Sequence, residues 1–419
     1  MRFKTLLGSS CFRAWGVIRF ILFALYLLLV TTFSFFSMFE IFPNLLNLVN
    51  LQKIRYYAQR AEYSSDPTLV FVPRLAERVM DTAEWRGDGY SPEYGVEVPP
   101  IRYHASYTRD SFRKNSSSPP FDILVIGDSY VEIGESDDST LSERLTQVSR
   151  LSTLNLGRGW YGPLQYLEVF KRYGLGMKAK YALLCFFSGN DAEDVRQYMR
   201  WQRGGEGGDY YSFVVGRTNF FIRYLHALRD TYWAIRHWVR SYFDSVYVFI
   251  GVTFTDEAIS KGIHPDLGLI QLNGQVVPMR FNYWNQHATS EQLLSRDEWK
   301  TLRTVMAEFR AVALGNDIVP IVVFIPTKAE VYGSLFSEHS GQRILLKIHD
   351  QLQFEMNSAE ALEALAREQG IMIVNLLPHF KELARQGNVL YYPFDTHWNS
   401  AGRQAAAEVI AKVVLGVHK

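Results

Sequence analysis

The chain has 419 residues, with 44 basic against 43 acidic and a formal net charge of +1, and this balance excludes binding driven by bulk charge, such as contact with nucleic acid. The length predicts one large core with additions. Two cysteines, Cys11 and Cys185, exclude a disulfide-stapled scaffold.

Residues 20–39 read FILFALYLLLVTTFSFFSMF without a charge, which matches the roughly 20 residues that span a bilayer core. Arg2, Lys4, Arg13 and Arg19 precede this stretch and Glu40 follows it. The positive-inside rule therefore predicts a single-pass membrane anchor, with residues 1–19 cytoplasmic and everything after residue 39 extracytoplasmic, periplasmic or extracellular. A cleaved signal peptide would carry a shorter apolar core and a small-residue cleavage site, and none follows Phe39. The lipid bilayer is thus one expected partner, through residues 20–39.

Residues 40–120 have no sustained helical period and are expected to form a stalk and an irregular or β-containing lead-in. The pattern then changes to short apolar runs separated by helical stretches. Strands are predicted at 121–127, 153–156, 181–187, 318–325 and 371–375, and the alternation implies a five-stranded parallel sheet covered by helices on both faces. Helices are predicted at 291–314, ended by Gly315-Asn316, at 345–369, stopped by Gly370, and from Asn399 or Ser400 to the end of the chain. Residues 192–290 exceed what a strand-to-strand crossover needs and are expected to be an insertion. Within it, 204–208 is a glycine-rich loop. Phe221, Leu225, Leu228, Tyr232, Ile235, Val239 and Tyr242 form one helical stripe decorated by Arg223, Arg229, Arg236 and Arg240, either docked on the core or resting on an anionic membrane surface.

The strand at 121–127 ends on Gly127-Asp128-Ser129, and Asp395-Thr396-His397-Trp398-Asn399 lies just ahead of the last helix. A hydroxyl is a weak nucleophile until a base takes its proton, and a carboxylate must orient that base. Ser129, His397 and Asp395 fit those roles, and a serine directly after a parallel strand lies at the carboxyl edge where ligand crevices form. Acyl transfer also needs donors aimed at the oxyanion. Candidates are the Ser129 backbone N–H, the Asn190 side chain within Ser188-Gly189-Asn190-Asp191, and the glycine turn 155–162. Each block by itself is more often a turn than a site.

The four blocks, Gly127–Ser129, the turn 155–162, Gly189–Asp191 and Asp395–His397, together resemble the SGNH, or GDSL, hydrolase superfamily over about residues 121–203 and 291–419. The resemblance implies a flavodoxin-like α/β/α sandwich and no metal or cofactor. It also implies Ser129 as nucleophile, His397 as base, Asp395 as its orienter and Asn190 as an oxyanion donor. One position departs. Where similar sequences carry the oxyanion glycine, this chain has Trp160, with Gly159 one step earlier, so either backbone N–H is a candidate donor. The segments 107–113 and 325–332 resemble membrane-anchored SGNH-like proteins related to the alginate O-acetyltransferases, although the order of blocks here is that of the hydrolases. Lys328 and Trp398 are further candidates for substrate contact.

The expected activity is that of an extracytoplasmic, membrane-anchored serine esterase or O-acyltransferase. It would act on acyl esters, acetyl foremost, of a surface or exported polysaccharide, with a carbohydrate ester or acyl donor as partner. The 24 tyrosines and 9 tryptophans suit sugar stacking as well as core packing. The competing reading is a non-catalytic SGNH-like binding component of polysaccharide modification or export machinery, because a fold does not by itself confer chemistry.

Overall fold

The computed structural model describes residues 63–73, 77–90, 94, 96, 98–203, 264, 266–284, 288–354 and 356–417, with positions 23, 25–28, 30 and 31. Two compact units divide the chain. In the first, made of residues 1–65, 71–74 and 211–252, positions 23, 25–28, 30 and 31 are helical and exposed. Among the described residues no helix is long and apolar enough to cross a membrane. Most of the predicted span 20–39 lies outside them, as do the loop 204–208 and the helical stripe 221–242.

Strands β1 (Tyr63–Asp66) and β2 (Val70–Pro73) pair as a short hairpin. The second unit, residues 66–70, 75–210 and 253–419, opens with the antiparallel pair β3 (Arg78–Trp85) and β4 (Ile101–Tyr107). This lead-in is fastened to the main body: the His104 N–H donates to Glu135 O at 2.7 Å and the Ser106 N–H to an Asp137 carboxylate oxygen at 2.8 Å.

The centre is a five-stranded parallel sheet in the order β6–β5–β7–β10–β11, built from β5 (Ile123–Gly127), β6 (Thr153–Gly157), β7 (Tyr181–Phe187), β10 (Val319–Ile325) and β11 (Met372–Asn375). Every residue of β5 and β7 is buried, which is why the central strands read as unbroken apolar runs and not as alternating ones. Each fully buried Val, Leu or Ile contributes about 1.5–3 kcal/mol. Gly127 pairs with Gly157 and Ile325 with Phe187, so these four strands end on the same edge. The chain runs from β5 outward to β6 and then back across to β7. The order reverses there, and in open α/β sheets ligand crevices form at this point.

The helices gather in two groups. α11 (Ser400–Val417) packs on α2 (Leu141–Ser149), while α6 (Asp297–Leu314) contacts α3 (Pro163–Val169), α4 (Asp191–Arg203) and α9 (Asn357–Gln369). Two helices predicted as continuous are divided. Residues 291–314 separate into α5 (Ser290–Ser295) and α6 because Arg296 is extended, with φ −76° and ψ 152°. The Ser295 hydroxyl donates to Gln292 O at 2.7 Å, the local bonding by which Ser competes with a helix. Residues 345–369 separate into α8 (Gln342–Gln353) and α9. The buried Asn357 side chain there donates to Ala288 O at 2.8 Å and accepts the Ser358 N–H at 2.7 Å. The last helix begins as expected, with Asn399 Oδ1 accepting the Gly402 N–H at 3.0 Å. The described part of the predicted insertion contains α4 and a hairpin, β8 (Leu267–Leu272) with β9 (Gln275–Arg280).

Candidate active site

Ser129 opens a single helical turn, α1 (Ser129–Glu132), whose N-cap Asp128 accepts the Tyr130 N–H at 2.9 Å. The turn is pressed so closely on the strand ends that only glycine fits beside it. A Cβ at Gly127 would lie 2.6 Å from Val131 Cγ2, and one at Gly157 would lie 2.6 Å from Glu132 N. The Asn155 side chain completes the support by donating to Val131 O at 2.9 Å. As the first residue of a helix, Ser129 has a backbone N–H with no partner inside that helix.

The loop between α10 (Leu377–Arg385) and α11 delivers the other two groups. Tyr391 bridges to Trp398, and the Tyr392 N–H donates to His397 O at 3.1 Å, closing the loop on itself. Tyr130, next to Ser129, locks this loop to the Ser129 turn: its hydroxyl donates to Thr396 O at 2.7 Å, and the Trp398 indole donates to Tyr130 O at 3.1 Å. Its ring stacks on Phe187 at 4.0 Å between centroids.

These restraints bring residues 268 positions apart into one cleft. His397 Nε2 lies 2.8 Å from Ser129 Oγ, and His397 Nδ1 lies 2.7 Å from Asp395 Oδ1. A carboxylate can only accept, so the proton of a neutral imidazole sits on Nδ1 and Nε2 is left to accept from the serine hydroxyl. Ser129 and His397 both reach solvent in part, the imidazole with 12% of its side chain exposed, whereas Asp395 is buried. Burial pushes the His397 pKa down, but the hydrogen bond that its ring donates to Asp395 and the charges of Asp395, Asp88 and Asp128 outweigh it, and the net shift is upward. Asp395 moves oppositely: burial raises it, and its bond to His397 brings it below the ordinary carboxylate value. Burial pushes Asp128 up to about 6.

The candidate oxyanion donors differ in state. Asn190 Nδ2 donates to Asp194 Oδ2 at 2.7 Å, which fixes the side-chain amide at the head of α4. Gly159 sits beside Ser129, since a Cβ there would be 3.7 Å from Ser129 Cβ. Its N–H, expected to face an oxyanion, donates instead to Glu132 Oε2 at 2.5 Å. Trp160 adopts a left-handed φ of 71° and is 56% exposed.

Two further expectations meet the structure differently. Trp398 does not reach substrate: it is 0% exposed, in the core against Tyr130 and Phe380, where it holds the His397 loop in place. Lys328, at the start of α7 (Lys328–Tyr332), is buried, and its ammonium donates to Arg280 O at 3.1 Å and Pro393 O at 3.2 Å. Burial brings its pKa down to about 7, against the pull of Asp395 and Asp88. Lys328 lines a small cleft with Tyr130, Phe187, Asn282, Tyr283, Thr327 and Thr396. Sequence reasoning passed over Asn282 and Tyr283, which lie in the predicted insertion, and over Glu132 and Asp88, which belong to no motif.

The sheet order, a serine at a strand end and a histidine loop before the last helix fit the α/β arrangement implied by the sequence's resemblance to SGNH hydrolases. Residues 281–419, about a third of the chain, match the family model described as the SGNH hydrolase-like domain of acetyltransferase AlgX. No curated protein matches the chain. Solved structures similar to it include a protein from Slackia heliotrinireducens described as an SGNH hydrolase, at 12% identity and a TM-score of 0.34, covering 70% of this chain and 98% of that one. Others are a lipase/acylhydrolase from Enterococcus faecalis, at 9% identity, a TM-score of 0.31 and coverage of 71% and 96%, and a catalytic mutant of the acetylxylan esterase Axe2 from Geobacillus stearothermophilus, at 11% identity, a TM-score of 0.32 and coverage of 71% and 95%. These likenesses are distant, and the fold assignment stands on the sheet itself.

Proposed function

We propose that the protein is a membrane-anchored serine esterase or O-acyltransferase acting on acyl esters, acetyl foremost, of a surface or exported polysaccharide. The observation that carries this reading is the continuous line of hydrogen bonds from Ser129 Oγ through His397 to Asp395, at 2.8 and 2.7 Å. In the first half-reaction Ser129 Oγ attacks the ester carbonyl carbon while its proton passes to His397 Nε2. The Ser129 N–H and the Asn190 amide supply donors for the oxyanion. Collapse breaks the bond to the sugar oxygen, which takes the proton from His397, and leaves acyl-Ser129. In the second half-reaction water or a sugar hydroxyl gives its proton to His397 and attacks the acyl carbon; the bond to Ser129 Oγ then breaks, His397 returns the proton to that oxygen, and free acid or a new ester leaves. Which acceptor is used depends on how well the cleft excludes water.

The match of 281–419 to an acetyltransferase family supports acyl chemistry, and the charge-free stretch 20–39 supports an anchor that places the domain outside the cytoplasm. One observation favours the non-catalytic alternative: the Gly159 N–H is already taken by Glu132. Labelling by a fluorophosphonate probe separates the two, with Ser129→Ala as control. Covalent labelling of the wild type alone, with turnover of an aryl acetate, is the expected result. Wild-type protein that neither labels nor turns over would leave a binding role.

A further inference from the structure

The turn 86–90, in the lead-in ahead of the SGNH-like domain, reaches into the site. We propose that Asp88 is a positioning residue of the reacting set, fixing Asp395 and through it His397; this rests on the reading of Ser129, His397 and Asp395 given above. Asp395 divides its two oxygens. Oδ1 accepts from His397 Nδ1 at 2.7 Å and from the His397 N–H at 2.9 Å, while Oδ2 accepts the Asp88 N–H at 2.8 Å. The Asp88 carboxylate returns the contact, accepting the Thr396 N–H at 3.0 Å and the Thr396 hydroxyl at 2.6 Å. Asn282 spans the same group, donating to Thr396 Oγ1 at 2.9 Å and to Asp88 Oδ1 at 3.3 Å.

The backbone of the turn is shaped for this grip. The Gly89 N–H donates to Phe394 O at 2.9 Å. Gly87 has φ 111°, and a Cβ there would lie 2.3 Å from the same carbonyl oxygen, so no other residue allows the approach. The orienting carboxylate is thereby held from both sides, by the imidazole it serves and by a segment some 300 residues earlier in the chain.

Asp88 also acts by charge. The groups around it are Asp395, His397, Lys328, Tyr283 and Asn282, with Arg280 beside Lys328. Asp88 keeps an exposed side, but partial desolvation against the His397 loop and the charge of Asp395 raise its carboxyl, and its negative charge in turn raises both His397 and Lys328. Removing that charge must therefore lower the pKa of His397.

The test uses the full chain in detergent, with Asp88→Asn, Asp88→Ala and Gly87→Ala compared by kcat and KM on an aryl acetate, by pH profile, by thermal melting and by NMR titration of the His397 ring. Asp88→Ala and Gly87→Ala are expected to lower kcat by up to about 100-fold with KM little changed, the scale of a misplaced reacting group. Asp88→Asn, which keeps one acceptor for Thr396, should retain more of kcat while its acidic limb and the His397 titration move to lower pH. Wild-type kcat and an unmoved limb in all three variants would overturn the proposal, as would a loss of kcat that only follows a loss of thermal stability. If the wild type has no turnover, the functional reading fails separately, and the His397 titration decides this one: a downward move in Asp88→Asn supports it and an unchanged value overturns it.

Discussion

Replacing Asp395 by Asn keeps its size and tests the proton logic of the site directly. Both carboxylate oxygens face N–H donors: Oδ1 meets His397 Nδ1 and the His397 backbone, and Oδ2 meets the Asp88 backbone. An amide offers one oxygen and one NH₂, so one donor must be met by another. If the NH₂ turns toward His397, the imidazole can satisfy it only by moving its own proton to Nε2, where it no longer accepts from Ser129. If it turns toward Asp88, a buried N–H loses its acceptor, at about 1–3 kcal/mol, and the imidazolium formed during reaction loses its counter-charge. Either way the loss of activity should be on the order of 10⁴-fold, or about 5–6 kcal/mol of barrier, while the fold survives. The assay is kcat/KM on an aryl acetate, with thermal melting and the ring-nitrogen shifts of His397 to read the tautomer. A folded Asp395→Asn protein with activity within about tenfold of wild type would refute the assignment of Asp395.

Glu132→Ala frees the Gly159 N–H for an oxyanion. A charge-assisted hydrogen bond is worth about 1.5–3 kcal/mol, so kcat/KM on the same ester should rise by about 10- to 100-fold, and a fall would show that Glu132 assists the reaction. The base must be neutral and its pKa is raised, so the acidic limb of kcat/KM should lie above 6.5, the ordinary imidazole value. Lys328, at about 7, and Asp128, at about 6, titrate nearby, so NMR of His397 should coincide with the limb, and a profile flat down to pH 4 would contradict the role. Gly157→Ala places a methyl 2.6 Å from both Glu132 N and Val131 Cβ and should cost about 1–3 kcal/mol by overpacking, read as a lower denaturant midpoint at unchanged slope.

The parts of the site carried by chemistry were legible in the sequence, and the parts carried by packing were not. Ser129, Asp395 and His397 stand out because few residue types activate a hydroxyl and because each lies at a strand end or just before a helix. The central strands were legible because burial on both faces leaves nothing polar in them. Trp398 misled because an aromatic beside a base suggests substrate contact, whereas its indole is spent on Tyr130 O. Glu132 and Asp88 carry no local signal. Glu132 is an acidic residue in a short helix, and the importance of Asp88 comes from a turn whose partner loop lies some 300 residues away. Interrupted helices escaped for a similar reason: Ser295 and Asn357 break apolar periods through single-residue bonding that composition does not register.

The most direct measurement is the mass of the peptide containing Ser129 after the protein is mixed briefly with an acetyl ester and quenched in acid. The account predicts an increment of one acetyl group on Ser129, absent in Ser129→Ala and accumulating more slowly in His397→Ala. Turnover of the ester with no acyl-Ser129 trapped, or with the acyl group on another residue, would contradict it.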